Sequence, residues 1–347
     1  FLRSWCKMIF ELQAKNETTA QQRFVALAQA AGFAISFDAS LAGYTTFKIG
    51  GPADLLVIAL RVPDLMQLVN LAREAGIPNF LLGGGSNVLI GDAGVRGLVI
   101  LNHCRQITFA ETGLVTAESG ASLAGLARRT IQQGLAGLEW AVSVPGTIGG
   151  AVVGNAGAHG GCIADNLVSA QVLDGERLLT EWRAPDFAYT YRLSRLKRPT
   201  DSRTRGAVVL SATFRLQAAD REELETRAAR FLAHRRATQP IEASAGSIFQ
   251  NPPGDYAGRL IEAVGLKGVQ VGGVQFSPLH ANFIVNLKAG RAADVRAAIE
   301  LAQRRVQAQF GLTLQPEILF VGEFSDTETN DVGQESADQK EQRSVYA

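Results

Sequence analysis

The sequence has few residues that could form disulfides or hold a metal. Its three cysteines, Cys6, Cys104 and Cys162, are odd in number and far apart along the chain. A disulfide framework needs pairs, and a zinc knuckle needs closely spaced cysteines, so neither is predicted. The four histidines lack the HxxxH spacing typical of a metal site. We therefore expect no metal, and we expect a reducing, cytoplasmic location.

An excess of charge of one sign is also lacking. Lys and Arg total 34 against 33 Asp and Glu, which gives a net charge of +1 at pH 7. This balance gives no support for a nucleic-acid partner or an anionic membrane surface. No apolar run approaches the roughly 20 residues that span a bilayer, and Arg3, Lys7 and Glu11 interrupt the first residues, so no signal peptide is predicted. Since Phe1 cannot initiate translation, we expect Met8 to be the biological start.

What the sequence does contain, from Tyr44 onwards, is an alternation of short apolar runs with amphipathic segments, which is typical of α+β or α/β proteins. We divide the chain into an N-terminal extension with a lead-in helix, a small βαβ-like unit, a larger strand-rich unit, a third α+β unit and a polar, disordered tail. The predicted ranges are 1–36, 37–104, 105–236, 237–322 and 323–347. In the small unit, Asp64 is expected to cap a helix that Gly76 ends.

Two glycine-rich loops are the most informative feature. They are Gly83-Gly84-Gly85-Ser86-Asn87 and Pro145-Gly146-Thr147-Ile148-Gly149-Gly150. Successive glycines allow positive φ and bring bare N–H groups against a diphosphate. The stretch at the end of the second loop, residues 155–161, has few bulky side chains and leaves room for a flat ring system. Neither loop is a GxGxxG or GxxxxGK motif. Turn glycines are the alternative, but two such loops favour a dinucleotide site.

Two cations are candidates for binding an anion. Lys48 lies beside Gly50 and Gly51 and could contact a diphosphate, with a plain surface lysine as the alternative. Arg192 follows Tyr191 in a basic and aromatic patch. Its planar guanidinium suits a carboxylate or a phosphate, and a solvated cationic loop is the alternative.

Two further polar residues have uncommon surroundings. Ser247 has no His or Asp close in sequence to activate it as a nucleophile, so proton donation to a carbanion is the other chemistry open to it. Most serines in such turns only form hydrogen bonds. Glu317 precedes an apolar run, where it is either a buried carboxylate that needs a partner or an exposed strand end. We interpret His159 and His280 as packing or hydrogen-bonding residues.

In order and composition these clusters closely resemble the UDP-N-acetylenolpyruvoylglucosamine reductase family. Seven segments between Tyr44 and Gly322 carry the resemblance. They are 46–54, 83–89, 139–161, 191–197, 246–252, 280–286 and 316–317. One departure is Leu196, where the family usually has phenylalanine in a Tyr-Arg-x-Ser-x-Phe-Lys motif. This difference affects local packing and does not change the charge at Arg192.

The resemblance implies a fold of the α+β class. Residues 37–104 and 105–236 would be the two subdomains of an FAD-binding fold of the p-cresol methylhydroxylase/vanillyl-alcohol oxidase type, and 237–322 a smaller α+β substrate-binding domain. It further implies non-covalent FAD, and NADPH as co-substrate. The compact interval from Arg192 to Ser247 resembles the subtype without an inserted substrate loop. We expect a monomer.

The implied reaction is reduction of UDP-N-acetylglucosamine enolpyruvate to UDP-N-acetylmuramate for peptidoglycan, and hence for cell wall biogenesis, cell shape and cell division. By the resemblance, Arg192 stabilises developing negative charge, Ser247 donates the proton and Glu317 polarises or orients that end of the site. Tyr191, Arg192 and Asn251 would bind substrate. The cofactor-binding residues would be Lys48, Gly83, Gly84, Gly85, Ser86, Asn87, Pro145, Gly146, Ile148, Gly149, Gly150, Asn155 and Gly157.

Two other functions remain open from the residues alone. A flavin oxidase on the same fold would keep both loops but would not need Arg192, Ser247 and Glu317 together. A sugar-nucleotide sensor would keep the binding residues without redox chemistry.

Overall fold

The structure, a computed structural model, describes residues 19–324. The predicted start at Met8 and nearly all of the predicted tail lie outside the described residues. The helices are α1 (described over residues 19–30), α2 (Val62–Ala75), α3 (Leu123–Gln132), α4 (Ile148–Gly154), α5 (Arg221–Thr238), α6 (Ala257–Ala263) and α7 (Ala292–Phe310). None of these helices is long and apolar enough to cross a membrane within the described part of the chain.

The strands are short, and they form several sheets. They are β1 (Ser36–Ser40), β2 (Pro52–Ala59), β3 (Asn79–Leu82), β4 (Val88–Ile90), β5 (Val95–Asn102), β6 (Ile107–Phe109), β7 (Leu114–Glu118), β8 (Leu135–Ala136), β9 (Gly157–Ala158), β10 (Gly161–Cys162), β11 (Leu167–Leu173), β12 (Leu179–Arg183), β13 (Val208–Arg215), β14 (Gln217–Ala218), β15 (Gln270–Val271), β16 (Val274–Phe276), β17 (Ile284–Asn286) and β18 (Leu319–Val321).

The small unit is built on the sheet β1-β2-β5-β3, in which β2 and β3 both run parallel to β5. The buried face of α2, with Leu65 and Leu68, packs in one core with Leu55 of β2 and Leu98 of β5. Parallel strands need a crossover connection, and α2 supplies it between β2 and β3. The predicted βαβ arrangement is therefore present.

The predicted cap of α2 is wrong. The helix begins at Val62 with Arg61 as its N-cap residue, and Pro63 lies in the first turn. Proline suits that position because its fixed φ is helical and its missing N–H has no partner to lose. Asp64 lies within the first turn and pairs with Arg61, with Nη2 and Oδ1 2.7 Å apart. The predicted end is right, since Gly76 adopts the left-handed conformation with φ 71°.

The larger unit contains the five-stranded antiparallel sheet β12-β11-β13-β7-β6. Helices α3, α4 and α5 contribute Leu126, Val152 and Leu224 to its core. Helix α4 was not predicted, because its glycines have poor helix propensity. Burial of Ile148 and Val152 offsets that cost, so the second half of the second glycine loop is helical.

The third unit packs against the part of the small unit that contains the first glycine loop. Its sheet β15-β16-β17 packs with α6 and α7, and their core also includes Phe47 and Leu89 from the small unit. Strand β18 leaves the third unit and pairs parallel with β4, with Leu319 opposite Val88. Because β4 directly follows residues 83–87, the third unit is joined to the chain segment that forms the first glycine loop.

Candidate active site

The two glycine loops are in contact with each other. A Cβ atom built on Gly83 would lie 2.4 Å from Oγ1 of Thr147, and one built on Gly84 would lie 3.2 Å from Cα of Gly146. A distance of 2.4 Å is far inside van der Waals contact, so Gly83 cannot carry a side chain unless the Thr147 side chain or the second loop shifts. Gly85 has φ 58°, in the left-handed region that glycine adopts at little cost. Glycine is thus favoured at position 85 by its backbone conformation, and at positions 83 and 84 by the close approach of the second loop.

The first loop keeps its backbone donors available. Strand β3 ends before Gly83 and β4 begins after Asn87. Within residues 19–324, no hydrogen bond has an amide of the five loop residues between them as its donor. In the second loop, by contrast, the amides of Ile148 and Gly149 donate to Ala121 and Ser119 at 2.9 and 2.8 Å. Unused amides in a glycine-rich turn form an anion-binding concavity, so the first loop is suited to a diphosphate.

Other residues assigned to the cofactor have structural partners. The Ile148 side chain is fully buried in the core of the larger unit. Asn155 donates from Nδ2 to the Thr190 carbonyl at 3.0 Å and accepts from the Ala164 amide at 3.1 Å. Lys48 is exposed, and its Nζ donates to the Gly43 carbonyl at 3.3 Å. Their contact with a cofactor stays a prediction.

Arg192 and Glu317 form an ion pair, with Arg192 Nε and Glu317 Oε1 3.1 Å apart. Their side chains are 26% and 13% exposed, which rules out a solvated loop for Arg192 and an exposed strand end for Glu317. The buried Nε of Arg192 has no hydrogen-bond partner, so the pair is held by charge without an aligned hydrogen bond. Arg192 also has φ 57°, a conformation that costs about 1–3 kcal/mol in a residue other than glycine. Such strain is concentrated at functional sites.

Lys197, a member of the basic patch that received no role from the sequence, belongs to the same cluster. Its Nζ donates to the backbone carbonyl of Arg192 at 3.0 Å. Burial lowers the pKa of Lys197, and the nearby carboxylate of Glu317 opposes that change. Burial raises the pKa of Glu317, while Arg192 and then Lys197 oppose the rise. When all three groups are charged, two cations face one carboxylate, and the surplus positive charge suits an anionic ligand.

The chain places Ser247 beside this cluster through backbone contacts. Ser247 forms an antiparallel bridge with Phe283, and the amide of Glu317 donates to the carbonyl of Ile248 at 2.7 Å. Asn87 of the first loop donates from Nδ2 to the Glu317 carbonyl at 3.1 Å. Within residues 19–324 no hydrogen bond uses the Ser247 hydroxyl. The first glycine loop, the carboxylate and a free hydroxyl are thus brought together from three distant parts of the sequence.

Thr46 is a second residue whose role the sequence did not reveal. Its amide donates to the Gly85 carbonyl at 3.0 Å, and its hydroxyl donates to the Ser244 carbonyl at 2.7 Å. Thr46 therefore links the first glycine loop to the segment that leads into Ser247. No local signal distinguishes this threonine from a surface one.

The two remaining substrate-binding candidates are more exposed. The Tyr191 side chain is 61% exposed, and the guanidinium carbon of Arg192 lies 5.8 Å from the centre of its ring. Asn251 is exposed, and its Oδ1 accepts a hydrogen bond from the Ala257 amide at the start of α6. Its Nδ2 takes part in no hydrogen bond within residues 19–324. Both side chains have atoms free for a ligand, and substrate contact stays a prediction.

Comparisons with known proteins agree with this architecture. Residues 53–177 match a family model described as FAD binding domain, and residues 239–321 match UDP-N-acetylenolpyruvoylglucosamine reductase, C-terminal domain. The predicted α+β fold with an FAD-binding portion is thereby confirmed.

Relatives are similar over most of their length. A UDP-N-acetylenolpyruvoylglucosamine reductase of Synechococcus sp. (strain RCC307) is 44% identical over 296 residues, which cover 84% of this chain and 95% of the relative. One of Rubrobacter xylanophilus is 43% identical over 292 residues, with 84% and 96% covered. The crystal structure of UDP-N-acetylenolpyruvylglucosamine reductase from Thermus caldophilus superposes with a TM-score of 0.70 at 34% identity, covering 83% of this chain and 98% of that one.

Proposed function

The chain belongs to the UDP-N-acetylenolpyruvoylglucosamine reductase family, and from this premise we propose that it reduces UDP-N-acetylglucosamine enolpyruvate to UDP-N-acetylmuramate with NADPH. It is an FAD-dependent oxidoreductase. The observation that carries the proposal is the Arg192–Glu317 pair beside Ser247 and the first glycine loop. We place the reaction in the cytoplasm, in the service of cell wall biogenesis.

The residues present fit FAD. The unused amides of residues 83–87 would hold its diphosphate, and at Gly84 the two loops approach backbone to backbone. When bound, FAD supplies the hydride, taken from NADPH, that reduces the enolpyruvyl double bond. No histidine or cysteine occurs within residues 83–87 to attach it covalently.

The cation cluster fits the enolpyruvyl carboxylate. Negative charge develops on that carboxylate and its neighbouring carbon as the double bond is reduced. Arg192, held by the Lys197 contact to its carbonyl, offers a fixed positive charge there. Removal of one preorganised group of this kind commonly raises a barrier by about 3–4 kcal/mol. Glu317 neutralises part of the charge and keeps the guanidinium in place before substrate binds.

Ser247 supplies the proton. Its hydroxyl O–H bond breaks as the new C–H bond forms at the carbanion carbon, and water later restores the hydroxyl. The hydroxyl is free for this role, since no hydrogen bond within residues 19–324 uses it. The backbone bridge to Phe283 and the neighbouring bond from Glu317 to Ile248 fix its position without occupying the side chain.

The test separates the two halves of the reaction. Reduction of the flavin by NADPH needs no proton from Ser247, whereas product formation does. In Ser247→Ala we expect anaerobic flavin reduction within a fewfold of wild type, and product formation lowered by at least about a hundredfold. Ser247→Cys should recover part of the rate, because a thiol also donates a proton. Equal product formation by wild type and Ser247→Ala would reject Ser247 as the donor, and protein that binds no FAD would reject the redox proposal.

A further inference from the structure

A further cavity lies against helix α5. Its volume is about 460 Å³, and its lining residues are His159, Arg227, Arg230, Phe231 and His234. None of them belongs to the glycine loops or to the Arg192 cluster. The volume falls within the range of small-molecule sites, roughly 300–1,000 Å³, and is much larger than a single ion needs.

The lining residues come from two elements. Positions 227, 230, 231 and 234 are spaced three and four apart on α5, so they share one face of the helix. His159 lies opposite, in the turn between β9 and β10, with φ 52°. Its ring stacks on Phe231, with centroids 4.4 Å apart and planes inclined by 14°, and meets the His234 ring edge-on at 5.7 Å. The cavity wall therefore presents a flat aromatic pair next to two arginines.

The charge of the lining favours an anion. Arg227 pairs with the buried carboxylate of Glu139 at 2.9 Å, but no hydrogen bond or ion pair within residues 19–324 uses the Arg230 guanidinium. Partial burial lowers the pKa of His159, and the positive charges of His234 and Arg235 lower it further. Within the same residues no group of three His, Cys, Asp or Glu side chains is placed to bind a metal ion. An unused arginine in a positive environment is suited to phosphate.

We propose that this cavity binds a phosphorylated nucleoside, with Arg230 contacting the phosphate and the stacked His159 and Phe231 rings packing against the base. Stacking on aromatic side chains tolerates any base, since each base has a π face. The site would be additional to the catalytic cleft, so its occupation does not depend on the proposed reaction.

Histidine NMR tests the proposal, because the chain has only four histidines. FAD-loaded protein carrying ring-labelled histidine is titrated with adenosine 5′-monophosphate, uridine 5′-monophosphate and inorganic phosphate. We expect saturable shifts of the His159 and His234 signals with at least one nucleotide, while His103 and His280 stay unchanged. Single His→Gln variants at positions 159 and 234 assign the two signals.

Two matched variants locate the phosphate contact. Arg230→Ala should weaken nucleotide binding at least tenfold, whereas Arg236→Ala, an exposed arginine on the same helix outside the cavity lining, should leave it within twofold. Circular dichroism checks that both variants fold. Absence of saturable shifts at His159 and His234, equal binding by the two variants, or inorganic phosphate binding as tightly as the nucleotides would each overturn the proposal.

Discussion

The contact between the two glycine loops gives the sharpest prediction. Gly83→Ala places a methyl group 2.4 Å from Oγ1 of Thr147, so the Thr147 side chain or one of the loops must shift. Overpacking of this kind costs about 1–3 kcal/mol. Because both loops are predicted to hold FAD, we expect the cost to fall on cofactor binding. Since 1.4 kcal/mol corresponds to a tenfold change in the dissociation constant, FAD affinity should fall roughly 5- to 150-fold.

A double-mutant cycle tests the cause. The three heavy atoms nearest the new methyl all belong to the Thr147 side chain: Oγ1 at 2.4 Å, Cγ2 at 3.3 Å and Cβ at 3.4 Å. Thr147→Ala removes the first two and leaves Cβ at an ordinary contact distance. Gly83→Ala should therefore lower FAD affinity less in the Thr147→Ala background than in the wild-type background. Gly154→Ala is the matched control, because a Cβ there meets nothing within 4 Å.

The assay is titration of apoprotein with FAD, followed by flavin fluorescence, with thermal unfolding of the apoprotein measured alongside. Wild-type affinity in Gly83→Ala would refute the close approach of the loops. An affinity loss that Thr147→Ala does not relieve would show that the clash lies elsewhere. A large loss of apoprotein stability would show that the contact between the loops stabilises the protein even without cofactor.

Three further predictions concern the charged cluster and the loop anchor. Arg192→Lys should keep normal FAD content but lose at least about tenfold in kcat/KM, because an ammonium cannot reproduce a planar bidentate contact; near wild-type turnover would contradict the carboxylate role. Lys197→Met removes a positive charge that lowers the pKa of Glu317, so the pKa of Glu317 should rise. The acidic limb of the pH–rate profile should then move to higher pH. Lys197→Arg keeps the charge and should leave the limb near its wild-type position. An unmoved limb in Lys197→Met would exclude this coupling. Thr46→Val removes the hydroxyl bond to Ser244 at 2.7 Å and the longer hydroxyl contact with the Gly85 carbonyl at 3.3 Å, but it keeps the amide bond to Gly85. Turnover should therefore fall more than FAD affinity, measured by steady-state kinetics and flavin titration, and equal losses would place Thr46 in cofactor binding alone.

Several helix boundaries are set by local signals. Ser122 caps α3 by accepting from the Gly125 amide, Asp220 caps α5 by accepting from the Glu223 amide, and Gly76 ends α2. Each signal acts within one helical turn, so the sequence contains all of it. The failures were also local: Pro63 moved the start of α2, and buried apolar residues made a helix of the glycine-rich segment after Thr147.

The sequence by itself determined the order of motifs, and with it the family, the FAD-binding fold and the residue types available for chemistry. Only the tertiary structure decided which of them meet. The ion pair between Arg192 and Glu317 and the fit of Gly83 against Thr147 join segments whose proximity no local pattern encodes. The same packing decided how deeply Glu317 is buried, and burial sets its pKa because removing water disfavours the charged form.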